Sequence, residues 1–588
     1  MKRMIALCLA LSIGLGLWGC AKTEDRPLAP SKATHFPQTA QQKALAEAEI
    51  RYAISLLLDR NYIVERISQA GEQPASSFVA MGMSDHKGQF YENAGHSDQY
   101  TGYFDTGREA YSENFLTAIR ILQKYYDFDG REFLNFPTLT YIYNTGDKNK
   151  ATAEYVQAAL ALVGIPVELE NQEWNSFLST RKSGAFTIAR SGWIADYTDP
   201  ICFLEMWIST SGNNDIRLGR DEHSSLAVYS LDLRPYGYDV LVEKGTWAQT
   251  YDVLIETIKN CPDAEARYKL LHLAEDMLMS TGCVMPLFFY TDLYMLSPRV
   301  TGFYSNPLGY KYFHKTLVDG AGDSLSVCLS SEPESIDPGL NATVDGATLL
   351  THLFSGLAKW EQAADGSLVI VPDCAETLPE GERQPDGSVT YTYRLKEGLV
   401  WADGAPLTAQ DFVYGWNRAK SPELGGDYSY LFEILSEVTA PDDRTLRVTL
   451  TGPISYWNEM LAFPTFFPVR ADVAADEAWA TEAASYVGNG PYKIAQWSHD
   501  SVITLVKNEH YHDRDQVSMG TIRFFLSSDA NNMLTNFQNG DWLMIDDVPA
   551  DEIQSLKQKY PEAFRVSGQI GTNYLCWNVN ASLLPNDQ

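Results

Sequence analysis

The chain has 588 residues, 45% of them hydrophobic and 21% charged, and a formal net charge of -31. That length exceeds what one small core organises and implies two or three domains; the charge argues against polyanionic partners, so nucleic acid and anionic lipid surfaces are excluded as expected partners. After the first twenty residues no apolar run reaches the roughly 20 residues needed to cross a bilayer, which leaves the N-terminus as the only segment able to hold the chain to a membrane.

Lys2 and Arg3 precede an apolar run from Met4 to Trp18, then Gly19 and Cys20, the charged, hydrophobic and small order of a secretion signal. Residues 1–20 are therefore expected to be a lipoprotein signal peptide. Leu17 to Cys20, LWGC, resembles the bacterial lipobox and makes Cys20 the expected lipid-attachment residue, although Trp18 departs from the small residue usual there. Gly14, Gly16 and Gly19 also spell GxGxxG, but no strand precedes them and no helix follows, so a dinucleotide site fails on context. From 21 to 37 the chain is polar and carries Pro27, Pro30 and Pro37, the composition of a stiff tether.

Thr39 and Gln42 form a capping-box pattern ahead of a helix in which Ala46, Ile50, Ile54 and Leu57 recur at helical spacing. A second helical pattern covers Ala151 to Val163 and stops at Gly164 and Pro166, with a strand predicted from Val167 to Glu170. Asp199-Pro200 forms an N-cap and N1 pair. A helix from Asp263 to about Thr281 leads into an apolar strand from Val284 to Tyr290, in which Pro286 suits a strand's start or edge. Tyr310 to Val318 reads as another strand. Asp319 to Asp323, DGAGD, is a flexible linker, and Ser324 to Leu329 alternates like a strand after it. Thr408 and Asp411 cap a further helix with Phe412, Val413 and Trp416 facing inward. The alternation of helices and strands predicts an α/β fold. Six cysteines, Cys202, Cys261, Cys283, Cys328, Cys374 and Cys576, follow Cys20 without zinc-type spacing; their pairing stays open, some being simply buried and reduced, and no metal or cofactor is expected.

Several of these stretches resemble the large extracytoplasmic solute-binding proteins of ABC importers, oligopeptide-binding type, over about Lys43 to Asn580. They are SGWIADYTDP from Ser191 to Pro200, SEPESIDP from Ser331, LFSGL from Leu353, WADGAPLTAQDFVYGW from Trp401, NGPYKIAQW from Asn489 and LVKNEHYHD from Leu505. SGWIADYTDP precedes the others here, whereas the family has the opposite order, and the EAEIRYAISLLLDRNYIVERI stretch from Glu47 resembles a helix that the family places in mid-chain. The resemblance implies a circularly permuted class II periplasmic-binding-protein-like fold, two-lobed, with an extra inserted domain. The implied division is 38–295 plus 572–588 for the lobe carrying Asp196, 296–354 plus 470–571 for the second lobe, and 355–469 for the insert. The rival arrangement is a dimer swapped through the 319–323 linker, but five residues also suit closure within a monomer.

Asp196 is a second carboxylate that helix capping does not need, flanked by Trp193 and Tyr197, and a desolvated anion requires a cation. The resemblance assigns it the α-ammonium of a bound peptide; a salt bridge to a protein Lys or Arg is the alternative. By the same resemblance Arg190 meets a peptide carboxylate, unless it serves an internal ion pair, and Gly192, Trp193 and Ile194 lend main-chain bonds to the peptide. Trp174 and Tyr574 match cleft positions, with plain packing an equal reading for each, and Ala342 stands where some relatives have an acidic contact. The implied function is extracytoplasmic capture of oligopeptides, on a bacterial cell membrane, for the permease subunits of an ABC importer. A carrier of a metal complex or haem and a peptide-pheromone receptor are the alternatives. An enzyme is not expected, because HExxH, GxSxG and P-loop patterns are missing from the sequence. The metal-like run Glu509 to Asp513 reads as exposed surface.

Overall fold

Thr39 and Gln42 do close a capping box, at the start of helix α1 (Ala40–Leu56), which buries Ala46, Ile50 and Ile54. The computed structural model describes residues 28–220, 229–320 and 322–585, so the expected signal segment 1–20 with Cys20, and the first part of the tether, lie outside the described residues. Where the tether is described it lies on the first part of the chain: Ser31 bridges to Phe128, and Lys32 Nζ is 2.6 Å from Asp127. The stretch from Glu47 to Ile67 is not one helix. Asp59 accepts from the amides of Asn61 and Tyr62 and opens a new turn, while the buried Arg60 guanidinium takes the carbonyls of Ser55, Leu58 and Pro286.

The next elements are β1 (Leu139–Asn144), α2 (Asp147–Ala161), β2 (Val167–Gln172), α3 (Trp174–Ser183), β3 (Ile188–Ile194), α4 (Ala264–Met279) and β4 (Val284–Leu296). Asp263 caps α4 by accepting from Ala266 N at 2.7 Å. After the 319–323 linker come β5 (Ser324–Leu329), α5 (Val344–Leu353), α6 (Ala409–Lys420), β6 (Tyr492–Ser498), β7 (Val502–Lys507), β8 (Thr521–Leu526), β9 (Met544–Ile545) and β10 (Phe564–Trp577). Thr408 and Asp411 form the expected box at α6, which buries Phe412 and Trp416 but leaves Val413 only half-buried.

Strands from both sides of the linker build one 11-stranded mixed sheet, in the order β6-β7-β8-β5-β9-β4-β10-β3-β1-β2, with Gln73–Pro74 added on β4. Parallel pairs β5/β8, β5/β9, β1/β2 and β1/β3 flank an antiparallel centre. That centre is β4 and β10, 13 and 14 residues long. One end of β4 pairs with β9, and the other end of β10 pairs with β3, so these two strands carry the sheet from one group to the other. The 382–450 segment forms a separate four-stranded antiparallel sheet beside α6. Pro286 sits near the start of β4, as the sequence allows. The strand expected from Tyr310 to Val318 is instead two bridges, Lys311–Tyr312 and Leu317–Val318, because a turn at Phe313 to Thr316 interrupts it.

The late end of the described chain returns to its beginning. Leu583 N donates to Glu47 Oε1 at 3.2 Å, and Leu583 O accepts from Tyr126 Oη at 2.5 Å. All six of the later cysteines are free and buried. Trp577, at the end of β10, is fully buried and its indole N–H points to Met285 Sδ at 3.2 Å. Trp577→Ala should therefore cost about 3–5 kcal/mol in denaturant unfolding; a loss below about 1 kcal/mol would show that β10 does not anchor the sheet.

Candidate functional site

Along strand β3 the buried Ala189, Ser191 and Trp193 alternate with the half-buried Arg190, Gly192 and Ile194, and that period of two turns Arg190, Gly192 and Ile194 toward one face. On one edge β3 pairs with β10 over Ile188 to Ile194; on the other, β1 meets only Ile188 and Ala189. The main chain from Arg190 to Ile194 thus has an edge without a strand partner among the described residues. That edge borders a cavity of about 410 Å³, whose walls include Trp174, Arg190, Trp193, Asp196, Ala342 and Tyr428.

Asp196 follows the strand and is 8% exposed. Its amide donates to Cys202 Sγ at 3.2 Å, and its Oδ1 accepts from Tyr428 Oη at 3.2 Å. No Lys, Arg or His lies within ion-pair distance of it among the described residues. Burial pushes its carboxyl up to about 8, with Glu205 adding to the rise and the Tyr428 hydroxyl opposing it. Glu205 itself is held by Lys259 at 3.0 Å and by the Tyr197 hydroxyl. Asp199 takes the capping role, accepting from Ile201 N at 3.0 Å, and Arg267 clamps it with two 2.9 Å bonds. Capping and ion pairing are therefore met by Asp199, and Asp196 serves neither.

Arg190 also lacks a carboxylate partner among the described residues; one guanidinium nitrogen donates to Tyr290 Oη at 3.1 Å and its Nε has no partner. Gly192 has a local reason to be glycine, since an added Cβ would lie 2.2 Å from Tyr290 Oη. Trp193 donates its indole N–H to Cys202 O at 3.0 Å. Trp174 opens α3, packs near Phe177 with ring centres 6.2 Å apart, and faces the cavity.

Tyr574 departs from the expectation. It is fully buried, packed edge-on against Phe78 and Trp207 with ring centres 5.0 and 6.2 Å away, and does not line the cavity. Its strand neighbour Asn573 points the other way and donates to Tyr290 Oη at 3.0 Å. Tyr428 and Tyr290 line the cavity and Asn573 backs Tyr290, and local pattern missed all three. Only the pairing of Asn573 with Gly192 across β10 and β3 would have flagged one of them.

The Glu509 to Asp513 run also departs from its reading. Glu509 and His510 are exposed, but His512 and Asp513 gather with Asp373, their ligand-type atoms within 4.8 Å of one another. Lys359 Nζ lies 3.3 Å from Asp373 and 3.1 Å from Asp513, so an ammonium already fills the place of a cation there.

The raised carboxyl of Asp196 has a consequence for stability. An unfolded Asp ionises near pH ~3.9, so between about pH 4 and pH 8 the folded chain holds a proton that the unfolded chain releases, and folding loses stability as pH rises. Asp196→Asn should stabilise the peptide-free protein increasingly from pH 5 to pH 8, by on the order of 1 kcal/mol or more at the upper end. Parallel stability curves for the two proteins would contradict a buried, unpaired Asp196.

The family model for bacterial extracellular solute-binding proteins, family 5 Middle, matches residues 24–215 and 369–587. The oligopeptide-binding protein OppA of Bacillus subtilis is 32% identical over 285 residues, which is 45% of this chain and 50% of the relative. The dipeptide-binding protein DppE of the same organism is 30% identical over 273 residues, 44% and 48% of the two chains. The solved structure of Listeria monocytogenes OppA bound to peptide aligns with 28% identity and a TM-score of 0.35, covering 38% of this chain and 46% of that one. The chain spans about half the length of the curated relatives it matches. With the family model covering well over half its residues, the chain belongs to the bacterial extracellular solute-binding proteins of family 5.

Proposed function

We propose that the chain captures short peptides outside the cytoplasm and delivers them to the permease subunits of an ABC importer, held at the membrane through a lipid on Cys20. The observation that carries this reading is the pair of unmatched charges in one cavity. Asp196 lacks a cation and Arg190 lacks an anion, and the two lie on either side of a free strand edge. A peptide supplies the three missing partners at once: an α-ammonium for Asp196, main-chain groups for Gly192, Trp193 and Ile194, and a carboxylate for Arg190. Main-chain recognition makes the site tolerant of sequence, while Trp174 offers a rigid apolar wall. The printed names of the Bacillus relatives, oligopeptide-binding and dipeptide-binding, favour the same ligand class.

The fold we propose for this task is two lobes, 38–295 plus 572–588 and 296–354 plus 470–571, with 355–469 inserted, in a circularly permuted order and as a monomer. Support comes from β5 and β10 entering the same sheet as β3 and β4, and from Leu583 lying against Glu47, which brings the two ends of a permuted chain together. Collinear matches over only half of the relatives fit an exchange of two portions. Closure would bring Tyr428 of the insert onto Asp196, and Lys148 of one lobe to within 2.9 Å of Asp547 of the other.

At pH 7 a carboxyl titrating near 8 is mostly protonated, so pairing with an ammonium expels that proton. Calorimetry in two buffers of different ionisation enthalpy should read the release of up to about one proton per peptide with a free amino terminus, and none for the acetylated peptide. Asp196→Ala should weaken free-amino peptides by about 100-fold or more, because a buried ammonium is left unpaired, while changing acetylated ones little. Equal losses for both would falsify the ammonium role.

A further inference from the structure

Tyr290 is the point at which three features of the cleft meet. Its hydroxyl oxygen accepts from Arg190 at 3.1 Å and from Asn573 at 3.0 Å, which uses both lone pairs and turns its single proton toward the cavity it lines. The hydroxyl reaches this position only because residue 192 has no side chain: a Cβ there would sit 2.2 Å from Oη, and one at Gly571 would sit 2.9 Å from the ring. Tyr290 also stands where the two bridging strands lose register. Phe289 pairs with Thr572 and Thr291 with Gly568, so three residues of β10, Gln569 to Gly571, oppose Tyr290 alone. A bulge of this kind bends a strand and loosens its ladder.

Arg190 has no other fixed partner on its guanidinium tip. Without the Tyr290 oxygen, a long flexible cation would search the cavity and lose that freedom when a ligand arrives. We propose that Tyr290 is a positioning residue for ligand recognition: its hydroxyl holds the Arg190 guanidinium ready for a carboxylate and anchors it at the bulge between the bridging strands. Tyr290 does not bind the carboxylate itself; it sets where the cation waits. The inference rests on the reading of Arg190 as the carboxylate partner, given above.

The test uses the full chain, with tri-alanine and its C-terminal amide as probes in calorimetric titrations. Wild-type protein should prefer the free acid, and Arg190→Ala should erase that preference. Tyr290→Phe keeps the ring and removes the oxygen; it should weaken the free acid by about tenfold and leave the amide within about twofold, a split that a loss of packing would not produce. Gly192→Ala, which drives the hydroxyl from its place, should narrow the same acid-to-amide ratio, and it keeps the question open to test should Tyr290→Phe fold poorly. If Tyr290→Phe and Gly192→Ala keep the full ratio while Arg190→Ala loses it, Tyr290 is a packing residue and the inference falls, with the Arg190 reading intact. If Arg190→Ala keeps the ratio, or wild-type protein binds both probes equally or neither, the carboxylate reading fails and takes the inference with it.

Discussion

The rest of the structure depends on β10 lying between β4 and β3. Its C-terminal half pairs with the strand that borders the cleft, and on either side of Gln569 to Gly571 it pairs with β4, which in turn reaches β9 and the strands that follow the linker. Removing that one strand would divide the sheet into two unconnected groups and leave β3 held only by β1, at Ile188 and Ala189. The strand meets this demand with a fully buried end, Tyr574 to Trp577, facing cores on both sides of the sheet. Its middle, Gln569 to Gly571, is the opposite: unpaired with β4 and bounded by glycines at 568 and 571. Rigidity at the end and slack in the middle suit the proposed role of a strand that joins two lobes and lets them close.

Function at the cleft is set against stability. A carboxyl buried with only a tyrosine hydroxyl and a distant thiol for company is a poor choice for folding, since the ordinary solution to burying an acid is to supply a cation. The chain follows the ordinary solution a few residues away, where Arg267 clamps Asp199 and Lys259 holds Glu205. The contrast within ten residues fits the proposal that the partner of Asp196 comes from outside. Arg190 repeats the pattern with opposite sign. A buried carboxyl and a guanidinium in one cavity, each without an ionic partner among the described residues, cost stability in the empty protein, and on the proposed reading a ligand carrying both complementary charges returns it.

What the sequence made legible was local. The boxes at Thr39 with Gln42 and Thr408 with Asp411, and the Asp199 cap, involve groups three residues apart or fewer, and the structure forms each of them. Asp196 stands apart locally because Asp199 accounts for the cap, while its assignment to a peptide ammonium rests on the family resemblance. Tyr428 and Tyr290 were not legible, because they reach Asp196 and Arg190 across 232 and 100 residues, and nothing in the spacing of tyrosines along a chain marks which one arrives. Tyr574 misses the cavity because strand neighbours turn to opposite faces, and its own face meets Phe78 and Trp207. The Tyr310 to Val318 strand failed because apolar content alone does not reveal the Phe313 to Thr316 turn. The sequence reads His512 with its whole run as exposed surface, because its partner Asp373 lies 139 residues away.

The proposed exchange of order asks how a fold tolerates it. The contacts that hold this sheet together are cross-strand pairs and buried side chains, and their energies depend on who touches whom, not on which segment was made first. Connectivity enters through the entropy of closing loops, which grows only slowly with loop length. A short polar linker at 319–323, with Gly320 and Gly322 at positive φ, joins the 317–318 bridge strand to β5 at little cost of that kind, and Leu583 already meets Glu47 without a covalent joint. The side-chain chemistry of the cleft is likewise indifferent to order, since Arg190 and Asp196 lie six residues apart in one segment and Tyr428 reaches Asp196 through space. What the order does change is which body carries the N-terminal tether. In this chain residues 31–35 lie against Asp127 and Lys124, on the same side of the linker as Asp196, so on the proposed reading a lipid at Cys20 would tether the portion that carries Asp196.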